Sequence, residues 1–255
     1  MRNIRLIIEY EGTNYAGWQI QPNLPTIQGI IQEKIKIITS QEVKLIAAGR
    51  TDTGVHALGQ TANFHTENLT PLVSMQTGLN ALLPDDIVIK DAVEVSPDFD
   101  SRRHAIAKTY RYLILNRPYP SAIYRNFSWH VFQQLDIDAM KNAASYLIGK
   151  KDFTSFRAAE CEAQHPIREI ICFSIETTPS VPLLTSSDET GLIALEVKGT
   201  AFLRHMVRII VGTLVAVGKE KIKPDDFQAI INAKDRRLAG MTAPPQGLFL
   251  KEVEY

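Results

Sequence analysis

Apolar and polar residues alternate over residues 2–10. Ile4, Leu6, Ile8 and Tyr10 stand against Arg5 and Glu9, the period of a strand with one buried face. Residues 11–25 are rich in Gly, Asn and Pro and carry Tyr15 and Trp18, aromatics that suit either covering a core edge or stacking on bases. Ile27, Ile30, Ile31, Ile35 and Ile38 then recur at helical spacing to about Thr39, with Thr26 placed to cap the first turn. The apolar run Val43 to Ala48 predicts a strand, and residues 59–66 predict another, in which Gln60, Ala62 and Phe64 alternate with Thr61, Asn63 and His65. Thr70 and Pro71 read as the N-cap and first-turn proline of a helix through Leu72, Met75, Leu79 and Leu82 that ends before Pro84. Residues 87–95 form a further strand. The order strand-helix-strand-strand-helix-strand is that of a ferredoxin-like unit.

The second half repeats these signals less regularly. Lys108 to Leu115 alternates, with Tyr110, Tyr112 and Ile114 on one side. Residues 117–135 read as irregular and contain Trp129 and His130. Asp136 caps a helix with Met140, Ala144, Leu147 and Ile148 on one face, stopped by Gly149. Strands are expected over 167–177 and 192–199, joined by a polar loop over 179–190. Phe202 leads into an apolar helix to Val217, with Gly218 as its stop and Arg204 and Arg208, four apart, on one face. Pro224 opens a last helix to about Ala233, and a strand runs through Val253. The fold class is therefore mixed α/β (α+β). Two halves, 1–105 and 106–255, are joined by the bridge Phe99 to Ala105.

Composition narrows the picture. A chain of 255 residues supports a substantial core. No apolar run approaches a membrane span, and the first residues begin a strand rather than a signal peptide, so a cytoplasmic location is expected. Cys161 and Cys172 lack metal or disulfide spacing and read as reduced structural thiols. The formal net charge is zero, unlike many nucleic-acid-binding domains. The charge is uneven, however. Residues 1–100 hold 7 Lys+Arg and 12 Asp+Glu, and residues 101–255 hold 21 and 16, so a polyanion is drawn mainly to the second half.

Candidate chemistry centres on Ala48-Gly49-Arg50-Thr51-Asp52-Thr53-Gly54-Val55-His56-Ala57. Two glycines bracket a charged turn after an apolar strand, a place where a scaffold can fix a reactive carboxylate. Asp52 and Thr53 would equally serve as turn formers. Arg102, Arg103 and His104 are either an exposed link or a phosphate contact. Tyr110 has the pattern of a core tyrosine. Arg208, in so apolar a helix, either snorkels or requires a carboxylate partner.

The stretch Gly49 to Ala57 resembles the catalytic loop of the tRNA pseudouridine synthase A family, Gly-Arg-Thr-Asp-x-Gly-Val-His-Ala. Further matches follow in order at Gly17-Trp18-Gln19, Thr26-Ile27-Gln28-Gly29, Phe99-Asp100-Ser101-Arg102, Tyr110-Arg111-Tyr112, Asp152 to Arg157, His205-Met206-Val207-Arg208 and Ala243 to Leu248. Ser101 departs from the family's alanine.

The resemblance implies two similar ferredoxin-like halves with a central cleft, and a homodimer acting on the tRNA anticodon stem-loop. It implies isomerisation of uridine to pseudouridine at positions 38, 39 and 40, with no metal and no nucleotide cofactor. Asp52 is then the nucleophile, acting at ribose C1′, through C2′ deprotonation, or at uracil C6. Arg208 pairs with Asp52 and keeps it ionised. Tyr110 stacks on the flipped base and takes the C5 proton, Arg50 fills the vacated space, Leu248 forms an apolar wall, and Arg102 and Arg103 contact phosphates. The rival readings are a non-catalytic RNA-binding module, a carboxylate hydrolase, and the same chemistry at another RNA uridine.

Overall fold

The computed structural model describes residues 1–161, 163–178 and 191–255, so the loop expected over 179–190 lies outside the described residues. Its elements are β1 (Arg2–Tyr10), α1 (Ile27–Thr39), β2 (Ile46–Ala47), β3 (His56–Thr66), α2 (Leu72–Leu82), β4 (Ile87–Val95), β5 (Ala107–Asn116), β6 (Trp129–Val131), α3 (Ile137–Ser145), β7 (Gly149–Asp152), β8 (Ile167–Thr178), β9 (Leu192–Gly199), α4 (Met206–Gly218), α5 (Asp226–Ala233) and β10 (Leu248–Glu254). They fall into two compact units. Met1–Lys108 with Phe249–Tyr255 form one, and Thr109–Leu248 the other.

In the first unit β1 lies between β4 and β3, antiparallel to both. Two further strands lean on β3: β2 antiparallel at Asn63 and Ala62, and β10 parallel at His56 and Ala57. The β1-α1-β2-β3-α2-β4 path is the expected ferredoxin-like one. Ile4, Leu6 and Ile8 are fully buried, as the alternation requires, and α1 turns Ile27, Ile31 and Ile35 inward. Thr26 caps α1, its hydroxyl accepting from the Gly29 N–H.

Two expectations fail here. The run Val43 to Ala48 pairs as a strand only over Ile46–Ala47, because glutamines of α1 take the backbone before it. Gln28 Nε2 donates to the Leu45 carbonyl at 3.0 Å, and the Leu45 N–H donates to Gln32 Oε1 at 3.2 Å. Thr70 does not cap α2. Pro71 holds the cap position with no side-chain bond, and a proline disfavours helical backbone in the residue before it.

In the second unit the sheet order is β5-β9-β8-β7, with β6 parallel to β5. Helix α3, capped by Asp136, packs on α4 and β8. The stretch read as irregular holds a 3-10 turn over Tyr124–Asn126 and the strand β6. Helix α3 ends at Ser145, before Gly149, which opens β7 at φ +98°. Helix α5 starts at Asp226, two residues after Pro224. Cys161 is buried, but Cys172 is exposed, so only the former fits a structural thiol.

Helix α4 begins at Met206, because His205 sits in the left-handed region at φ 62°. Arg204 therefore precedes the helix and pairs with Glu160, and it does not share a helix face with Arg208. Within α4, Arg208 and Ala216 alone are not buried. A Cβ at Gly212 would lie 1.8 Å from the Met241 carbonyl oxygen, so the backbone there is closed to any side chain. Gly212→Ala should lower stability by about 3 kcal/mol through overpacking, read as a lower urea midpoint at unchanged m-value.

Candidate active site

The loop between β2 and β3 is fixed from both ends by main-chain bonds. The Ala48 N–H donates to the Thr61 carbonyl at 2.8 Å, and Gln60 Nε2 donates to the Gly49 carbonyl at 2.8 Å. At the tip, the Trp18 N–H donates to the Thr51 carbonyl at 3.1 Å, and Thr51 Oγ1 lies 2.8 Å from the Tyr10 hydroxyl. The Val55 N–H closes the turn on the Asp52 carbonyl at 3.1 Å.

Glycine is required at Gly54, at φ +76°, and at Gly17, at φ +87°, where a Cβ would come within 2.6 Å of the Thr51 carbonyl oxygen. Gly49 has no positive φ. At the far end, the Gly12 N–H donates to His56 Nδ1 at 3.0 Å, so that nitrogen bears no proton, and the imidazole stacks on Phe249. This clamp leaves Asp52 half-buried between buried Thr51 and exposed Thr53, with Arg50 exposed on the near side.

Trp18 and Tyr15 are buried, Trp18 against Tyr10, so they cover the core beneath the loop. Burial holds the Tyr10 hydroxyl well above the usual tyrosine range, and it stays a neutral donor or acceptor.

The turn that carries Arg102 and Arg103 belongs to the same unit. Asp100 Oδ1 accepts from both their N–H groups, at 2.8 and 2.9 Å, and both side chains are exposed. The turn is anchored below by Asn63, whose Oδ1 accepts from the Ser101 N–H at 2.8 Å. Lys108, named in the sequence only as a strand residue, lies over Gly49. Burial holds its ammonium down to about 8, with the charge of Arg102 adding to the effect. Local pattern could not have marked it, since the contact joins residues 59 positions apart.

The second unit gathers the other candidates. Tyr110 on β5 is 8% exposed and meets Phe202 edge-on, ring centroids 5.1 Å apart. Arg208 Nε donates to the Ala243 carbonyl at 2.8 Å, and the Ala243 N–H donates to the Arg208 carbonyl at 3.0 Å. The Tyr112 hydroxyl donates to the Pro244 carbonyl at 2.7 Å. Burial pushes that hydroxyl well above the usual tyrosine range, against the charge of Arg208. Leu248, next along this segment, is buried. Arg208 is thus a cation held by backbone rather than a snorkelling one.

Thr51→Val would leave the buried Tyr10 hydroxyl without its bond to the loop. A cost of about 1–2 kcal/mol is expected, measured by thermal unfolding of the variant beside wild type.

The family model described as tRNA pseudouridine synthase matches residues 6–102 and 143–255. Over 255 residues, covering all of this chain, it is 49% identical to a protein named tRNA pseudouridine synthase A from Caldicellulosiruptor bescii and 48% identical to the one from Acetivibrio thermocellus, covering 100% of each. The protein of that name from Myxococcus xanthus is 45% identical, with 92% of its length covered. Among solved structures, an archaeal box H/ACA sRNP Nop10–Cbf5 complex aligns at 15% identity over 83% of this chain and 53% of that one, with a TM-score of 0.32.

Proposed function

The chain belongs to the tRNA pseudouridine synthase A family and is an enzyme that isomerises uridine to pseudouridine in tRNA; we propose that its targets are uridines 38, 39 and 40 of the anticodon stem-loop, with Asp52 as the reacting carboxylate. The observation that carries the role of Asp52 is the clamp around its loop. Its neighbours Thr51 and Val55 are bonded through their backbones, which holds a half-buried carboxylate in one place.

The reaction breaks the N1–C1′ bond, and the electron pair leaves on uracil N1. The base turns over and C5 bonds to C1′. The C5 proton is then removed and N1 gains one, so the product is an isomer and nothing else is consumed. An ionised carboxylate serves this sequence either by adding to C1′ and being displaced by C5, or by taking and returning the C2′ proton.

Arg208 supplies the counter-charge that keeps Asp52 ionised in a water-poor site. Its bonds to Ala243 support this role, because they fix the guanidinium before substrate arrives. Tyr110 stacks on the flipped uracil and takes the C5 proton, and Leu248 closes the apolar side. Flipping costs a few kcal/mol, and Arg50, exposed on the loop, fills the space the base leaves. Arg102 and Arg103 contact backbone phosphates. In this reading the enzyme works in the cytoplasm as a homodimer.

The test uses an unmodified tRNA transcript, with pseudouridine mapped by carbodiimide-blocked primer extension. Wild type should give blocks in the anticodon arm. Asp52→Asn should give none, a loss of at least about 1000-fold for removal of a nucleophile, while binding the transcript within a few-fold of wild type. Blocks outside the anticodon arm would overturn the target assignment, and turnover by Asp52→Asn would end its catalytic role. Deuterium at the target C2′ separates the two routes: slowed conversion means proton removal there, and an unchanged rate means addition at C1′. Tyr110→Phe should bind but convert slowly; full activity would leave stacking alone to the tyrosine.

A further inference from the structure

Gly49 has no positive φ, and its open side faces Lys108. A Cβ built there would stand 3.6 Å from Lys108 Nζ, 3.7 Å from Cε and 3.9 Å from Cδ. The lysine stem therefore lies along the backbone at the start of the catalytic loop, in van der Waals reach of position 49. The Gly49 carbonyl is already taken by Gln60 Nε2. Among the described residues no hydrogen bond or ion pair reaches the Lys108 ammonium. Its charged surroundings are cationic: Arg102 acts on it with like charge, and Arg50 is the next loop residue. Asp52 follows two residues later.

A partly buried ammonium without a counter-charge is costly. Two cations that act on each other, Lys108 and Arg102, beside the backbone of Gly49 make a place for an anion. An ammonium presents three donors from a compact point charge, which suits a phosphate.

We propose that Lys108 is a substrate-positioning residue whose ammonium binds one phosphodiester of the RNA backbone beside the nucleotide presented to the Gly49–His56 loop. This rests on the reading of the loop as the active site and goes beyond it, since neither the nucleophile nor the base-stacking residue is involved. Burial holds the Lys108 ammonium down to about 8, so phosphate binding is coupled to proton uptake above that pH. Arg102 is the charged group that acts on this ammonium, lowering its value further.

The experiment measures transcript binding over a salt series, together with pseudouridine formation, for wild type, K108M, K108R and the control K36M. Lys36 pairs with Glu42 on the surface. At pH 7, K108M should bind about 10-fold more weakly, and its slope of log K against log salt should fall by about 1. K108R should restore both, and K36M should change neither. The gap between wild type and K108M should narrow from pH 7 to pH 10, whereas the gap between K108R and K108M should not. A lysine whose ordinary value of 10.5 is lowered by burial loses stability below that value. K108M should therefore melt above wild type at pH 7, which a merely structural lysine would not do. K108Q serves if K108M fails to fold.

Binding by K108M within twofold of wild type at an unchanged salt slope would overturn the proposal. So would a loss confined to kcat. Failure of wild type to form pseudouridine in any tRNA would instead overturn the parent reading, and the proposal with it.

Discussion

The start of the Asp52 loop and the turn that carries Arg102 both depend on β3 being buried on both faces. Gln60, Thr61, Ala62, Asn63 and Phe64 are consecutive and all buried. Three of these carry polar side chains that cannot reach water, and a buried polar group left unpaired costs about 1–3 kcal/mol. The fold uses that demand to tie neighbouring segments down. Asn63 donates to Asn3 and to the Phe99 carbonyl and accepts from Ser101. Gln60 holds Gly49, and the Thr61 carbonyl holds Ala48. One strand thus orders both the start of the Asp52 loop and the turn that carries Arg102. Because these bonds share partners, they stand or fall together.

This double burial is also why the first unit was only partly legible from local pattern. Strands β1 and β4 and helix α1 follow simple periods and could be read almost to the residue. Strand β3 looks half-polar, since Gln60, Thr61 and Asn63 imitate a solvent face. Nothing local shows that their partners arrive from residues 3, 49 and 99. Strand β2 failed for the related reason that Gln28 and Gln32 reach across from α1. In the second unit, the left-handed backbone at His205 moved the start of α4 past Arg204, and no periodicity reveals a φ of 62°. Asp52, Arg208 and Tyr110 could be singled out as candidates because they sit in short contiguous motifs. Lys108 could not, because its neighbour is distant in sequence and its unusual feature is the absence of a counter-charge.

The second unit solves a different problem. A helix as apolar as α4 has one non-buried cation, and a guanidinium at such a place would swing freely if only side chains met it. The backbone of Ala243 bonds Arg208 twice, at its side chain and at its carbonyl. The Tyr112 hydroxyl holds the next residue, Pro244, and a Cβ at Gly247 would fall 2.6 Å from the Tyr112 ring. The segment from Ala243 to Gly247 is therefore a strap against both the arginine and the strand of Tyr110. Pre-positioned charge of this kind avoids reorganisation at the moment of reaction.

Strand β10 closes a circuit that runs against the order of synthesis. Phe249 and Leu250 pair beside His56 and Ala57, Phe249 stacks on His56, and the Tyr255 hydroxyl donates to the Ser101 carbonyl. The first unit is thus unfinished when residues 1–108 have left the ribosome, and β3 must wait for Phe249 and Leu250 to pair beside His56 and Ala57. Domains made early in translation usually fold early. Here the unit that bears the Asp52 loop takes a strand from Phe249–Tyr255, so a nascent chain cannot carry that loop finished before the strap and the guanidinium of α4 have also been made.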